Sequence, residues 1–372
     1  TSEIESISRN HEVIHAMGMN ENLYSRWTYL NQEYLKQNIT LSDLMGGLNG
    51  FVKVFRYILQ SAVLGLGAYL VIKQEFSPGS MIGASIIMSR AIAPIEGAIA
   101  NWKSYIASKQ ASKRIDRLLS NSNNNIPHTK LPSPKSELAI ENISIVSPQT
   151  RNIIINSISL NLRAGSALAI LGPSASGKST LARAIVGVWP TARGSIRLDG
   201  AELTQWSNIE LGKYIGYLPQ SVQLFKGTIA ENISRFESSP NSSNIIAASK
   251  QAGIHEIILG MPNGYDTEIY ELGGILSAGQ RQRLGLARAL YKDPFLVVLD
   301  EPNSNLDSEG EVALSNSISA VKGRGGIVII VAHRANILSS VEFVAVISNG
   351  QLQAFGPRDE VLSKILKGKS IQ

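Results

Sequence analysis

The amino-acid sequence predicts an α/β domain over residues 137–372 that follows an α-helical segment. Short runs rich in aliphatic and β-branched residues alternate with helix-like stretches after residue 137, which is the pattern of an α/β fold. Upstream, two apolar stretches at residues 51–72 and 81–100 have the length that a membrane-spanning helix needs. The expected order is therefore a helical segment, a linker and an α/β domain.

The composition excludes several classes of protein. Of the 372 residues, 44% are hydrophobic and 17% are charged, which rules out a wholly disordered chain. The chain has no cysteine, so disulfides, thiolate metal ligands and cysteine nucleophiles are excluded. The net charge of +6 is accounted for by residues 101–136 alone, where seven basic residues accompany one acidic residue. Because this cluster follows an apolar stretch, it predicts membrane topology and not a nucleic-acid footprint.

Basic residues lie mainly at the outer ends of the two apolar stretches. Lys53 and Arg56 stand near the start of the first stretch, and residues 103–117 follow the second, whereas the connecting turn has only Lys73. Since basic residues concentrate on the cytoplasmic side of membrane helices, we expect both outer ends in the cytoplasm and residues 77–80 outside. The alternative is a buried helical hairpin of a soluble protein.

The domain boundaries follow from these changes in composition. Residues 1–119 are predicted as a partial transmembrane domain, with a cytoplasmic helix at 1–45, the two membrane helices and a cytoplasmic extension at 101–119. The polar, proline-bearing stretch 120–136 is predicted as a linker. The α/β domain then occupies residues 137–372.

Residues 172–180, GPSASGKST, match the phosphate-binding pattern G-x-x-x-x-G-K-[ST]. A buried strand is expected before them and an apolar helix after them, so that backbone N–H groups surround phosphates at a helix N-terminus. Lys178 is expected to neutralise phosphate charge and Ser179 to bind Mg²⁺. The predicted binding residues of this loop are Gly172, Pro173, Ser174, Ala175, Ser176, Gly177, Lys178, Ser179 and Thr180. The pattern predicts a P-loop NTPase.

Two further stretches extend the predicted site. The strand FLVVLD ends at Asp300, which can reach a Mg²⁺ held by Ser179, and Glu301 is placed to polarise an attacking water. LSAGQ, at residues 276–280, precedes a helix with a basic start and predicts a second anion site at a helix N-terminus.

The order of GPSASGKST, LPQ, LSAGQ, VVLDEP and VAH resembles the nucleotide-binding domain of ATP-binding-cassette (ABC) transporters. The resemblance covers residues 137–372 and implies an ABC-type P-loop NTPase fold with a helical subdomain. It also implies a head-to-tail homodimer with two shared ATP sites, in which one subunit's phosphate loop faces the other subunit's signature residues. These residues are Ser277, Ala278, Gly279 and Gln280.

The same resemblance implies further site residues. Gln220 would sense Mg²⁺ and the attacking water, His333 would contact the γ-phosphate, and Asp307 would lie at the dimer interface. The family usually places an aromatic residue before the phosphate loop to stack on adenine. Here the region reads ISIVSPQ, so we expect Ile145 or Val146 to contact the base through apolar surface instead.

A finer resemblance is to the type I secretion permease/ATPases, in the branch that exports metalloproteases, lipases and haem-binding proteins. It is carried by stretches such as SPGSMIGASIIMSRAIAPIE, YIGYLPQSVQLFKGTIAENI and DEPNSNLD. This chain would hold the last two of that family's six membrane helices. The resemblance implies a polypeptide exporter of the bacterial inner membrane with a cytoplasmic ATPase domain. Its partners would be a membrane-fusion adaptor and an outer-membrane channel, with no nucleic acid. The alternatives are an exporter of lipids or small molecules and a soluble cassette ATPase.

A competing motif lies near the N-terminus. His11-Glu12-Val13-Ile14-His15 matches H-E-x-x-H, in which two histidines on one helix face bind Zn²⁺ and the glutamate acts as general base. The third ligand position is Glu21 instead of histidine, and a predicted membrane hairpin follows instead of a catalytic subdomain. The prediction is therefore a helix with solvated histidines, with a zinc peptidase as the alternative.

Overall fold

The structure is a computed structural model that describes residues 7, 10–122, 131–147, 151–270, 276–332 and 335–369. The chain forms two compact units, Thr1–Asn125 and Ile126–Gln372. The division between them falls inside the stretch predicted as a linker.

The first unit is helical. It consists of α1 (His11–Ala16), α2 (Asn20–Ile72) and α3 (Pro78–Ser122). The separate helices expected at 1–45 and 51–72 are largely one continuous helix, because α2 contains no proline and continues through the turn-like sequence Gly46-Gly47-Leu48-Asn49-Gly50. The helix α3 likewise continues through the predicted extension without a break, although it contains Pro94.

Two parts of these helices are long and apolar enough to cross a membrane, Gly50–Ile72 and Pro78–Ile99. Only 6% and 0% of their most apolar windows are buried inside the unit. The core helix of a soluble protein would be mostly buried, so the packing does not support the alternative of a soluble hairpin.

The second unit contains β-sheets flanked by helices. Its strands in chain order are β1 (Glu137–Val146), β2 (Ile153–Arg163), β3 (Ala167–Leu171), β4 (Arg193–Leu198), β5 (Ala201–Glu202), β6 (Ile215–Leu218), β7 (Gly227–Thr228), β8 (Glu268–Ile269), β9 (Leu296–Asp300), β10 (Ile327–Val331), β11 (Phe343–Ser348) and β12 (Gln351–Pro357). One sheet has the antiparallel order β2-β1-β4-β5, and a larger sheet has the order β12-β11-β3-β10-β9-β6. A small antiparallel pair joins β7 to β8.

The larger sheet is parallel from β11 through β6. Every residue of β9 and β10 is buried, which agrees with the continuous aliphatic runs that the sequence shows there. Parallel strands place their carboxyl ends at one edge, and in α/β proteins ligands bind at that edge.

The helices of the second unit cover both faces of the larger sheet. They are α4 (Lys178–Ile185), α5 (Asn208–Tyr214), α6 (Ile229–Ile233), α7 (Ser242–Gln251), α8 (His255–Leu259), α9 (Ala278–Leu290), α10 (Ser308–Gly323) and α11 (Arg358–Lys369), with 3₁₀ turns at Leu203–Gln205, Gly264–Asp266 and Ala335–Ser340. Leu181 and Ile185 of α4 are fully buried in the core that the two sheets share. This packing fixes the helix that follows the phosphate loop.

Candidate functional site

The loop between β3 and α4 adopts a conformation that requires glycine at both ends. Gly172 has a φ of 157° and Gly177 a φ of 97°. A Cβ on Gly172 would clash with the carbonyl oxygen of Ile347, and a Cβ on Gly177 would lie 2.6 Å from Ile155 Cδ1. The backbone therefore turns tightly over the N-terminus of α4, whose first N–H groups have no partner within the helix.

Lys178 is held beneath this loop. Its side chain is buried, and its Nζ donates hydrogen bonds to the carbonyl oxygens of Gly172 (2.9 Å) and Pro173 (2.7 Å). Burial lowers the pKa of Lys178, while the nearby carboxylates of Glu301 and Asp300 raise it. The ammonium group thus lies where phosphate oxygens would replace the loop carbonyls as acceptors.

Asp300 is buried at the carboxyl end of β9. Ser179 Oγ donates a hydrogen bond of 3.0 Å to its Oδ1. Burial raises the pKa of Asp300, and the nearby carboxylate of Glu301 raises it further. The hydrogen bond from Ser179 lowers it, but the net direction is upward. Asp300 Oδ2 and Ser176 Oγ are buried without a partner in the part of the chain that the structure describes. A hydroxyl beside an orphaned carboxylate oxygen fits the oxygen ligands that Mg²⁺ prefers.

Strand register places two more predicted residues at the same edge. Leu218 of β6 pairs with Leu299 of β9, so Gln220, two residues beyond, is beside the end of β9 and is exposed. Glu301 has a φ of 52°, and its N–H donates to the carbonyl oxygen of Val331 at 3.0 Å. The phosphate loop, Gln220, Asp300 and Glu301 therefore meet at one sheet edge.

The signature residues begin α9. Ser277 is the N-cap: its Oγ accepts from the N–H of Gln280 (3.2 Å), and its own N–H donates to Gln280 Oε1 (2.9 Å). A Cβ on Gly279 would lie 2.7 Å from the carbonyl oxygen of Asn305. The signature turn is thus packed against the loop that follows β9, and Ala278 is tolerated as the first helical residue.

Asp307 caps the N-terminus of α10. Its Oδ1 accepts from the N–H of Gly310 at 2.9 Å and forms an ion pair with Arg283 of α9. The Gly310 hydrogen bond lowers the pKa of Asp307, and Arg283 lowers it further. Asp307 therefore links two helices within one chain, while its role at a dimer interface stays a prediction.

Gln282 is a residue that sequence reasoning missed. It is buried on α9, and its Nε2 donates to the carbonyl oxygens of Glu301 (3.1 Å) and Pro302 (2.5 Å). Its Oε1 accepts from the N–H of Asn305 at 3.1 Å. The only sequence signal was a polar residue near the start of an amphipathic helix. Gln282 fastens the signature helix to the backbone of Glu301.

The residues expected to contact the base lie at the end of β1. Ile145 is 0% exposed in the core, so the expectation that it could contact the base is wrong. Val146 is partly exposed and pairs across the hairpin with Ile153, which is 64% exposed. Ile154 Cγ2 lies 3.3 Å from the Cβ position of Gly177, so the start of β2 borders the phosphate loop. Ile153 was missed because only the hairpin register reveals it.

Two further predictions from the sequence concern histidines. His333 lies outside the described residues, and its role stays a prediction. His11 and His15 are exposed on the short helix α1. Across the described ranges, no group of three or more His, Cys, Asp or Glu side chains could hold a metal ion, which gives the zinc-peptidase alternative no support.

The geometry is that of a P-loop nucleotide-binding domain: the phosphate loop and the buried acid lie at the carboxyl edge of a parallel sheet, and the signature turn packs against the loop that follows β9. The ABC transporter family matches residues 155–304, and the ABC transporter transmembrane region matches residues 2–94. The chain belongs to the ABC transporter family, which confirms the family and the fold class expected from the sequence.

Individual relatives add detail. The chain is 50% identical over 372 residues to the type I secretion system ATP-binding protein PrsD of Rhizobium meliloti (strain 1021), covering 99% of this chain and 63% of that protein. It is 29% identical over 344 residues to the ATP-dependent lipid A-core flippase of Syntrophus aciditrophicus (strain SB), covering 90% of this chain and 57% of that protein.

A solved structure is similar as well. A bacterial Atm1-family ABC exporter with ATP bound matches with a TM-score of 0.83 and 24% identity, covering 97% of this chain and 64% of that chain. At this identity the likeness establishes the fold, an ABC exporter fold with a helical membrane segment before the α/β domain. The chain thus spans somewhat less than two thirds of each of these proteins.

Proposed function

We propose that the chain is the ATP-hydrolysing subunit of a type I protein secretion exporter, which couples ATP binding and hydrolysis to the export of polypeptides. The observation that carries the ATPase assignment is the contact between the phosphate loop and β9, where Ser179 donates to the buried Asp300. The identity of 50% to a type I secretion ATP-binding protein supports the choice of exporter. The flippase, at 29%, gives the lipid alternative weaker support.

The chemistry at this site follows from its donors and acceptors. Backbone N–H groups at the start of α4 and the Lys178 ammonium bind the phosphates of ATP. Ser179, Asp300 and Gln220 would hold Mg²⁺, which neutralises phosphate charge when bound. Glu301 orients the attacking water, and the carbonyl contacts from Gln282 hold the Glu301 backbone in its left-handed conformation.

The complete site requires a second copy of the chain. The capping box occupies the backbone N–H groups of Ser277 and Gln280, whereas those of Ala278 and Gly279 have no acceptor within the helix. These two N–H groups and the positive end of α9 can therefore bind a phosphate. In a head-to-tail homodimer these signature residues approach the partner's phosphate loop, with Asp307 at the interface and His333 at the γ-phosphate. Val146 supplies apolar contact to the base.

The hairpin anchors the exporter in the bacterial inner membrane, with residues 77–80 outside and the ATPase domain in the cytoplasm. Its apolar surface is unburied in the unit, as a bilayer or neighbouring helices require. A membrane-fusion adaptor and an outer-membrane channel would continue the export path of the polypeptide, and no nucleic acid takes part.

Glu301→Gln tests the shared site in the purified chain in lipid nanodiscs. Loss of the carboxylate that orients water should stop hydrolysis while the phosphate contacts persist, so ATP should trap a dimer. Glu309→Gln, an exposed acid in the first turn of α10, is the matched control and should still hydrolyse ATP. A Glu301→Gln variant that stays monomeric at saturating ATP would contradict the shared site.

A separate experiment tests which class of substrate is transported. With the unmodified chain in proteoliposomes, an unfolded polypeptide should raise ATP turnover, whereas added lipid A should not. The opposite result would assign the chain to the lipid exporters.

A further inference from the structure

Two charged side chains meet inside the membrane hairpin. Arg56 belongs to the span Gly50–Ile72, and Glu96 belongs to the span Pro78–Ile99. Nη1 of Arg56 donates to both carboxylate oxygens of Glu96, at 3.3 Å and 3.0 Å. The ion pair therefore joins α2 to α3 at a point far from the connecting turn.

The pair lies on the seam between the two helices. Residues that are at least partly buried recur at helical spacing along both, namely Val52, Arg56, Leu59, Val63 and Gly67 on α2 and Met81, Ser85, Met88, Ile92 and Glu96 on α3. Near the turn, Met81 Cγ lies 2.7 Å from the Cβ position of Gly67, so the missing side chain lets the helices touch. The hairpin is thus joined by close packing at one end and by the ion pair at the other.

Charges inside a bilayer are costly unless they are paired, and they mark functional positions. Lipid tails provide no hydrophobic drive between helices, so contacts such as this ion pair determine how the helices associate. Arg56 Nε is buried and has no acceptor among the described residues. Pairing with Glu96 therefore offsets part of the cost of placing the Arg56 charge in an apolar span.

We propose that Arg56 and Glu96 form a positioning clamp that holds the end of the hairpin opposite the turn. The clamp makes α2 and α3 move as one body, and α3 carries that motion as a continuous helix through Ser122. The link to transport rests on the proposed exporter function, whereas the clamp itself does not.

Disulfide formation measures the clamp directly, because the chain has no cysteine of its own. The pair Val52→Cys with Ile99→Cys lies one turn beyond the ion pair on each helix. The pair Val63→Cys with Ser85→Cys lies nearer the turn and serves as the reference. In nanodiscs without nucleotide, Glu96→Gln should lower the disulfide yield of the first pair about tenfold, the equivalent of about 1.4 kcal/mol, and spare the reference pair.

Two further variants decide the outcome. Glu75→Gln removes the same charge from an exposed site in the turn and should change neither yield. The charge swap Arg56→Glu with Glu96→Arg should restore the first pair to near the unmodified yield. If Glu96→Gln leaves that yield unchanged, or if the swap fails to restore it, the clamp is wrong. Because this readout needs neither ATP nor a transported substrate, its failure is distinguishable from failure of the exporter proposal.

Discussion

The two units of the chain differ in where their apolar surface lies. In the ATPase unit, all residues of β9 and β10 are buried, and Ile170 of β3 is 0% exposed. In the helical unit, Ile87 is 70% exposed although it lies in the middle of an apolar span. The ATPase unit, Ile126–Gln372, buries its apolar residues within itself, whereas the helical unit, Thr1–Asn125, requires lipid or further helices around it. The polar contacts differ as well. A network of side-chain hydrogen bonds surrounds the end of β9, whereas the Arg56–Glu96 ion pair joins α2 to α3 in the described part of the hairpin.

The largest expected effect is loss of the buried carboxylate. Asp300→Asn should lower ATP turnover by about 10³-fold, since removing one preorganised group at a reacting site costs about 10²–10³. Asp293→Asn is the matched control, because that carboxylate is exposed and pairs with Arg324. Steady-state turnover with Mg²⁺ checks both variants. Near-normal turnover in Asp300→Asn would remove β9 from the proposed site.

The contrast in burial predicts a contrast in stability. Ile170→Ala should cost about 2–5 kcal/mol, because it leaves a cavity in a packed core. Ile87→Ala, the same substitution in the hairpin, should change the stability of the ATPase unit by less than about 0.5 kcal/mol. Hydrogen exchange of the β9 and β10 amides in nanodiscs measures both. Equal effects would show that the two units do not differ in this way.

The sequence predicts the reactive residues of the site better than it predicts the contacts that hold them in place. The phosphate loop and Asp300 are recognisable because local patterns, a glycine-rich turn and an acid after a buried strand, determine them. The core position of Ile145 and the contacts of Gln282 depend on how distant segments pair. The partnership of Arg56 with Glu96 joins residues 40 positions apart and has no local signal. What escapes prediction is therefore the long-range contacts that hold the reactive groups in place.

Gln282 permits a test of such a support. Gln282→Ala leaves the carbonyl oxygens of Glu301 and Pro302 without their buried donor, which should cost about 1–3 kcal/mol of stability. ATP turnover should fall as well, because the Glu301 backbone loses the hydrogen bond from Gln282 that holds it in place. Gln351→Ala, on an exposed edge position, is the control. Chemical denaturation and turnover assays check the pair, and unchanged turnover would limit Gln282 to a structural role.

The smallest effect concerns the base. An aromatic pair is worth about 0.5–1.5 kcal/mol beyond its buried area, and the Val146–Ile153 pair offers no aromatic face. Contacts to the triphosphate should then dominate affinity, so GTP should compete with ATP within about tenfold, one decade being about 1.4 kcal/mol. Val146→Tyr should tighten ATP binding by less than tenfold and leave turnover nearly unchanged.

Val312→Tyr, at an exposed position on α10, is the matched control and should not tighten binding. Competition titrations test both consequences. Strong preference for ATP in the unmodified chain would mean that a residue other than Val146 or Ile153 recognises the base.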